Sequence, residues 1–193
     1  MIRTFGVVAF VCVTGLALPA RAEDKSFGTP GEVVLTNGFA LSLSHSSSEG
    51  SYSTIQVNPT ADVFVLPGFS VGGGPYYSRS WSTFDAAGVS ESSSDNVGAA
   101  LRFGYAVNVH DSVSLWPNAG VSYYHWWWRS KLQDGPAASS DGSQVGLGAG
   151  LPLLVHVTPS FFVGFGPGVS HGVSDDGTRS LYLSANTFMG GRL

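Results

Sequence analysis

The sequence predicts an all-β protein: one closed, eight-stranded, antiparallel up-and-down β-barrel that crosses a membrane. Three observations predict it. Eight segments alternate apolar with small or polar residues, with no helical periodicity between them. The connectors are alternately tight and long. Charged residues make up only 11% of the 193, where a soluble domain carries about 25%.

Successive side chains on a strand point to opposite faces, so a period of two marks a strand between two environments. In the first strand, about Val33–Ser44, Phe39, Leu41 and Leu43 oppose Gly38, Ala40, Ser42 and Ser44. In the second, Thr54–Val65, Ile55, Val57, Ala61, Val63 and Val65 oppose Gln56, Asn58, Thr60 and Asp62. In the third, Phe69–Trp81, Phe69, Val71 and Tyr77 oppose Ser70, Gly72, Gly74, Tyr76 and Ser78. The fourth, Asp95–Val109, sets Val97, Leu101, Phe103, Tyr105 and Val107 against Gly98, Arg102, Gly104 and Asn108. The fifth, Val113–Trp128, sets Val113, Leu115, Ala119 and Val121 against Ser114, Asn118, Gly120 and Ser122. The sixth, Gln144–Val157, sets Val145, Leu147, Leu151, Leu153 and Val155 against Gln144, Gly146, Gly148 and His156. In the seventh, Phe161–Val173, Phe161, Val163, Phe165, Pro167 and Val169 oppose Gly164, Gly166, Gly168 and Ser170. The eighth, Arg179–Leu193, sets Leu181, Leu183, Ala185, Thr187 and Met189 against Tyr182, Ser184, Asn186 and Gly190. Most of these reach the roughly 9–11 residues that a tilted transmembrane strand needs.

Tight connectors, "LPG" at Leu66–Gly68, "HDS" at His110–Ser112 and "TPS" at Thr158–Ser160, carry turn residues. The others, "HSSSEGSY", "STFDAAGVSESSS", "RSKLQDGPAASSDGS" and "SDDGT", are longer and hydrophilic. This asymmetry is that of a transmembrane barrel, short turns on the periplasmic side and long loops outside. Closure is a physical demand, because backbone N–H and C=O groups cannot be left unpaired in hydrocarbon. A soluble barrel would turn the apolar face inward and carry Lys, Glu and Arg outside. Here the polar face is mostly Gly, Ser, Ala and Asn, which suits a narrow lumen.

"SYYHWWWRSK", Ser122–Lys131, packs five large aromatics into six residues. Tyr123 and Trp127 share the lipid-facing parity; with Tyr77 and Trp81 on the third strand they form the outer aromatic girdle. Phe69 and Phe161, beside the tight turns, form the inner one. Tyr124, Trp126 and Trp128 have the opposite parity and are expected to plug the outer mouth or fold into the third loop. The expected polar lumen residues are Gln56, Asp62, Tyr76, Arg102, Asn118 and His156. Asp62 and Arg102 are the charges at strand centres. Arg at the lipid-facing midplane would cost about 2–4 kcal/mol, so both point inward, as a plugging pair or the lining of a narrow path.

Residues 1–22 read as a signal peptide and 23–193 as the barrel domain. Met1-Ile2-Arg3 is a short positive region, Phe5–Leu18 an apolar run, and Ala20-Arg21-Ala22 an A-x-A cleavage site. The run is too short to span a bilayer as a helix. The single cysteine, Cys12, lies inside this leader, so the mature chain offers no disulfide and no thiolate metal site. Without Arg3 and Arg21 the chain carries seven basic and thirteen acidic residues, a net charge near −6. That argues against a nucleic-acid partner, which needs a basic face.

The chain resembles the small outer-membrane β-barrel proteins of Gram-negative bacteria, the OmpA/OmpX-type eight-stranded barrels. The resemblance covers the whole mature chain, in the leader, the eight alternating segments and the connector asymmetry. "LRFGYAVNV" and "FFVGFGPGVS" share the texture of such strands, and "LYLSANTFMGGRL" resembles the C-terminal signal read by the barrel-assembly machinery. It implies a bacterial outer-membrane location, reached by export through the inner membrane. The implied partners are outer-membrane lipid, lipopolysaccharide and the assembly machinery, with the barrel itself a monomer.

Fold resemblance does not assign an activity. Three functions remain from the residues: a structural or surface-interaction barrel acting through polar loops, a narrow pore for small polar or hydrophobic solutes, and a lipid hydrolase. His45, Ser46, Ser47 and Glu49 could serve the last, but no His-x-Ser-Asn sequence supports them, and the chain reads as a non-enzyme. No metal-ligand spacing occurs among the histidines, and no cofactor is expected.

Overall fold

The computed structural model describes residues 26–46, 50–83, 89–132 and 136–193. The expected leader and the Ser47 and Glu49 of the hydrolase reading lie outside them, and so do the side chains of His45 and Ser46. Eleven antiparallel strands follow one another: β1 (Val33–Ser46), β2 (Gly50–Leu66), β3 (Phe69–Thr83), β4 (Val89–Tyr105), β5 (Val107–His110), β6 (Val113–Leu115), β7 (Asn118–Leu132), β8 (Ala138–Gly150), β9 (Leu153–Thr158), β10 (Phe161–Ser174) and β11 (Arg179–Arg192). They are the eight predicted strands, three of them interrupted. β4 and β5 part at Ala106, β6 and β7 at Trp116-Pro117, and β8 and β9 at Leu151-Pro152. Two of the breaks hold a proline, which has no N–H to give the ladder. Neighbouring amides bridge them: Tyr105 donates to the Pro117 carbonyl and Trp116 to that of Pro152, both at 2.9 Å.

The pairings run β1–β2–β3–β4–β7–β8–β10–β11 and return to β1, so eight long strands form a ring. β1 and β2 match along fourteen residue pairs. The closing seam is much shorter, from Val34↔Arg192 to Asn37↔Met189. Val33 and Leu193 exchange two further backbone bonds of 3.2 and 2.9 Å. A salt bridge between Arg192 Nε and Glu32 locks the seam at the end that carries the tight turns.

The strands are longer than the sequence reading placed them. β4 begins at Val89 rather than near Asp95, β7 runs to Leu132, and β8 begins at Ala138 rather than near Gln144. Much of the polar sequence read as loop is therefore wall. Hydroxyl ladders make this possible: Ser51 bonds Thr83 at 2.7 Å, and Thr54 bonds Ser80 at 3.0 Å. Such cross-strand pairs hold a sheet together without apolar side chains. β2, 17 residues long, runs about 56 Å at 3.3 Å per residue. At a tilt of about 40° it covers roughly 43 Å, against an apolar band about 25 Å tall. At the β10–β11 turn the Thr178 amide donates to Asp176 Oδ1 at 2.8 Å and holds that carboxyl below the usual range.

The apolar set points outward. Leu101, Phe103, Val121, Val145, Phe165 and Leu183 are all exposed, Leu147 to 62%. A water-soluble monomer rarely exposes a contiguous apolar surface of this kind. The soluble-cup alternative requires the opposite orientation and is excluded.

The seam pair yields the first prediction. Glu32 and Arg192 side chains are 8% and 12% exposed, so Glu32→Gln removes the charge that faces a buried guanidinium, at a cost of about 3–5 kcal/mol. The urea midpoint of the folded barrel, followed by its mobility on unboiled gels, should fall, while Asp176→Asn in the exposed turn should leave it unchanged.

Candidate functional site

Inward-facing residues build the lumen in layers, and the lowest was not anticipated. Val34, Phe64, Trp116, Leu154 and Phe162 have the parity assigned to small and polar groups, yet all are fully buried inside the ring. At their centre is Phe27, 4% exposed, from the segment that precedes β1. Its ring meets Phe64 at 5.2 Å and Trp116 and Phe162 at 5.7 Å, each edge to face. Such pairs add about 0.5–1.5 kcal/mol beyond their area.

The segment is tied down by main-chain bonds. The Gly68 amide donates to the Gly28 carbonyl at 2.8 Å, and the Gly31 amide to the Phe64 carbonyl at 2.7 Å. Glu32 Oε2 accepts from the Gly28 and Thr29 amides at 3.0 and 3.1 Å. Gly28 has φ +93°, and a Cβ there would sit 3.1 Å from that of Ala106, so glycine is needed on both counts. The segment folds over the tight-turn end and inserts Phe27 as a stopper.

Beside it, a polar relay uses the expected lumen residue His156. Asn108 Nδ2 donates to the Phe27 carbonyl at 2.9 Å, which turns Asn108 Oδ1 toward Ser114. The Ser114 hydroxyl donates to that oxygen at 2.7 Å and so must accept from His156 Nε2 at 2.9 Å. The proton of neutral His156 therefore sits on Nε2, an assignment that follows from the network.

Above the stopper lie Asp62 and Arg102. Asp62 is fully buried. Arg102 Nε donates to Asp62 Oδ1 at 3.1 Å, a terminal nitrogen donates to the other carboxylate oxygen, and that nitrogen also reaches Thr60 Oγ1 at 3.1 Å. The guanidinium lies 4.8 Å from the Trp116 ring centre, where cation–π attraction adds to the pair. Trp116 Nε1 donates to Ser70 Oγ at 3.1 Å, and a Cβ on Gly104 would collide with the indole. The two charges that the sequence marked as central thus form one forked pair on the inner wall, over Gly72, which stands between them on β3.

Higher still is a cavity of 390 Å³ whose lining includes Gln56, Asn58, Asn118, Asn186 and Arg102. Tyr76 lies above, its ring 5.0 Å from that of Tyr124. Tyr124, Trp126 and Trp128 stay in register on β7, against Gln144, Gly142 and Ser140. The Trp126 ring covers the space that a side chain at Gly142 would fill. Trp128 Nε1 donates to Ser92 Oγ at 2.9 Å. These rings belong to the upper wall and not to a folded-in loop, because their strand simply continues.

On the outer face Tyr77, Trp81, Tyr123 and Trp127 are exposed near the long-connector end, and Phe69 and Phe161 are half-buried at the other. Tyr105, which the sequence reading left out of the girdle, is exposed beside Phe69, its partner across β3 and β4. Among the described residues no group of three or more His, Cys, Asp and Glu could hold a metal ion.

The stopper had a signal in the sequence. Val63-Phe64-Val65, Leu115-Trp116, Leu153-Leu154-Val155 and Phe161-Phe162 interrupt the alternation, all near the tight turns. Consecutive apolar residues mean both faces are apolar there. Nothing in the pattern marked Phe27 as their partner.

A closed ring of outward apolar strands around a packed lumen is the architecture of small membrane barrels. The fold aligns with a major outer membrane protein from Thermus thermophilus at 17% identity and a TM-score of 0.51, over 84% of this chain and 98% of that one. The attachment invasion locus protein Ail of Yersinia pestis aligns at 16% identity and a TM-score of 0.45, over 86% and 100%. Neisserial surface protein A aligns at 17% and 0.42, over 84% and 95%. The Thermus alignment supports the fold, and the two lower scores add nothing to it. No family model and no curated protein matches the chain.

Asp62→Asn leaves Arg102 facing an uncharged partner in the lumen and should destabilise the barrel by about 3–5 kcal/mol. Asp62→Asn with Arg102→Met removes both charges and should recover most of that loss in the same urea titration. Phe27→Ala empties the stopper and should cost about 3–5 kcal/mol.

Proposed function

We propose that the chain is a monomeric, non-enzymatic outer-membrane barrel with a structural or surface-interaction role, its long-connector end facing outward. The observation that carries this is the combination of an exposed apolar exterior with a lumen closed in depth. The Phe27 cluster fills the tight-turn end, and the Asp62–Arg102 pair, with Trp116 against its guanidinium, narrows the lumen above it. A solute entering from above would reach the amide-lined cavity and meet those two layers. This favours a barrel that conducts poorly over the narrow pore.

The long strands support a role at the outer surface. Their extra length is rich in Ser and stands above the outer aromatic residues, where lipid ends and water begins. The cleaved leader and lipopolysaccharide as a neighbour belong to the same reading. The fold comparison supports a barrel of outer-membrane type and leaves the role to be tested.

Two measurements test it. An epitope placed at residues 84–88 should be labelled on intact bacteria; labelling only after lysis refutes the orientation. Mature protein whose gel mobility shifts on boiling should be silent in planar bilayers. Discrete current steps from that protein, altered by Arg102→Ala, would establish the pore instead.

A further inference from the structure

On the outer face of β3, β4 and β7, next to the girdle, lies an open groove of 720 Å³ whose lining includes Arg79, Trp81, Glu91, Ser93, Arg129 and Lys131. The register arranges them in rows. Thr83, Glu91 and Lys131 form the top row, Trp81, Ser93 and Arg129 the next, and Arg79, Asp95 and Trp127 the third. All have the lipid-facing parity. Three of the nine basic residues of the chain therefore share one face of three adjacent strands.

The three strands carry two acids on this face against the three bases, and Asp141 of β8 stands beside Trp127, one row below Arg129. Arg79 lies 3.8 Å from Asp95, and Glu91 stands opposite Lys131. Arg129 is exposed and stands between Ser93 and Ser139. The depth is set by the aromatics: Arg129 is two residues beyond Trp127, about 7 Å along the strand. A girdle Trp sits at headgroup level, so the guanidinium stands where lipid phosphates begin. Below it, Pro75, Val97, Ala99, Leu101, Val121 and Tyr123 give an apolar surface for acyl chains.

The placement of the bases points to the headgroup. β3 and β7 flank β4, so Arg79 lies two strand spacings, about 10 Å, to the side of the β7 bases, with Arg129 one row and Lys131 two rows, about 7 and 14 Å, further along the strands. The bases thus form two poles, Arg79 on β3 and Arg129 with Lys131 on β7, each able to hold a phosphate of its own. A sugar carrying phosphate at both ends spans the two poles, with Ser93 and Glu91 of β4 between them to bond sugar hydroxyls. We propose that this groove binds a phosphorylated glycolipid of the outer leaflet, its phosphates on Arg79 and on Arg129 with Lys131. The proposal rests on the outer-membrane reading above.

The test is native mass spectrometry of the refolded, heat-modifiable protein in detergent, titrated with bis-phosphorylated lipid A, its dephosphorylated form, or phosphatidylglycerol. One lipid A should bind at least tenfold more tightly than either of the others. Arg129→Gln with Lys131→Gln should abolish that preference, Arg79→Gln should weaken it, and Arg179→Gln on the exposed part of β11 should leave it intact. Equal binding of the dephosphorylated lipid or of phosphatidylglycerol overturns the site, as does a double variant that folds and keeps the preference. Should the wild-type chain fail to enter bilayers or to show heat-modifiable mobility, the membrane reading itself falls. A folded barrel without phosphate preference refutes only the groove.

Discussion

Closure of the backbone hydrogen-bond ladder is the constraint from which the other features follow. A sheet with an open edge cannot persist in hydrocarbon, where each unpaired amide or carbonyl costs several kcal/mol. Here β11 pairs with β10 on one side and β1 on the other. The β1–β11 seam joins segments at opposite ends of the chain and spans few residues. No hairpin turn holds its two strands together, unlike β1 with β2. The Glu32–Arg192 bridge takes that place, and Glu32 also caps the segment that carries the stopper. One carboxylate thus couples ring closure to lumen closure.

With the ring closed, the interior has to be filled or hydrated. The tight-turn half is filled with rings, and the next layer with an ion pair whose hydrogen-bonding groups find partners. A buried pair adds little net stability over an apolar replacement but is costly to break. Its geometry explains its tolerance here: the fork of Arg102 meets both Asp62 oxygens, Thr60 takes another hydrogen, and Trp116 covers the face. Just above this level amides and hydroxyls line a cavity, and higher still Tyr76, Tyr124 and Trp126 bring rings back to the inner face.

The exterior follows a gradient of its own. Apolar side chains fill the belt, rings mark its rims, and hydroxyls, acids and bases follow along the same strands. Serine and threonine ladders keep those strands paired beyond the girdle. They carry Arg129, Lys131 and Glu91 on rigid wall rather than on loops, which gives the groove on β3, β4 and β7 its fixed spacing.

The sequence by itself determined the strand number, the antiparallel order and the two faces. These depend on side-chain period and turn chemistry, which are local. It also brought out Asp62 and Arg102, because a charge in the middle of an apolar strand has one affordable direction. The strand ends escaped it, because Ser and Asp are as common in loops as in the polar top of a wall. Only the tertiary structure decided that Phe27 seals the lumen, since its ring partners come from β2, β10 and the β6–β7 break. The same holds for the basic groove: Arg79 lies some 50 residues before Arg129 and Lys131 in the chain, and register alone makes them neighbours.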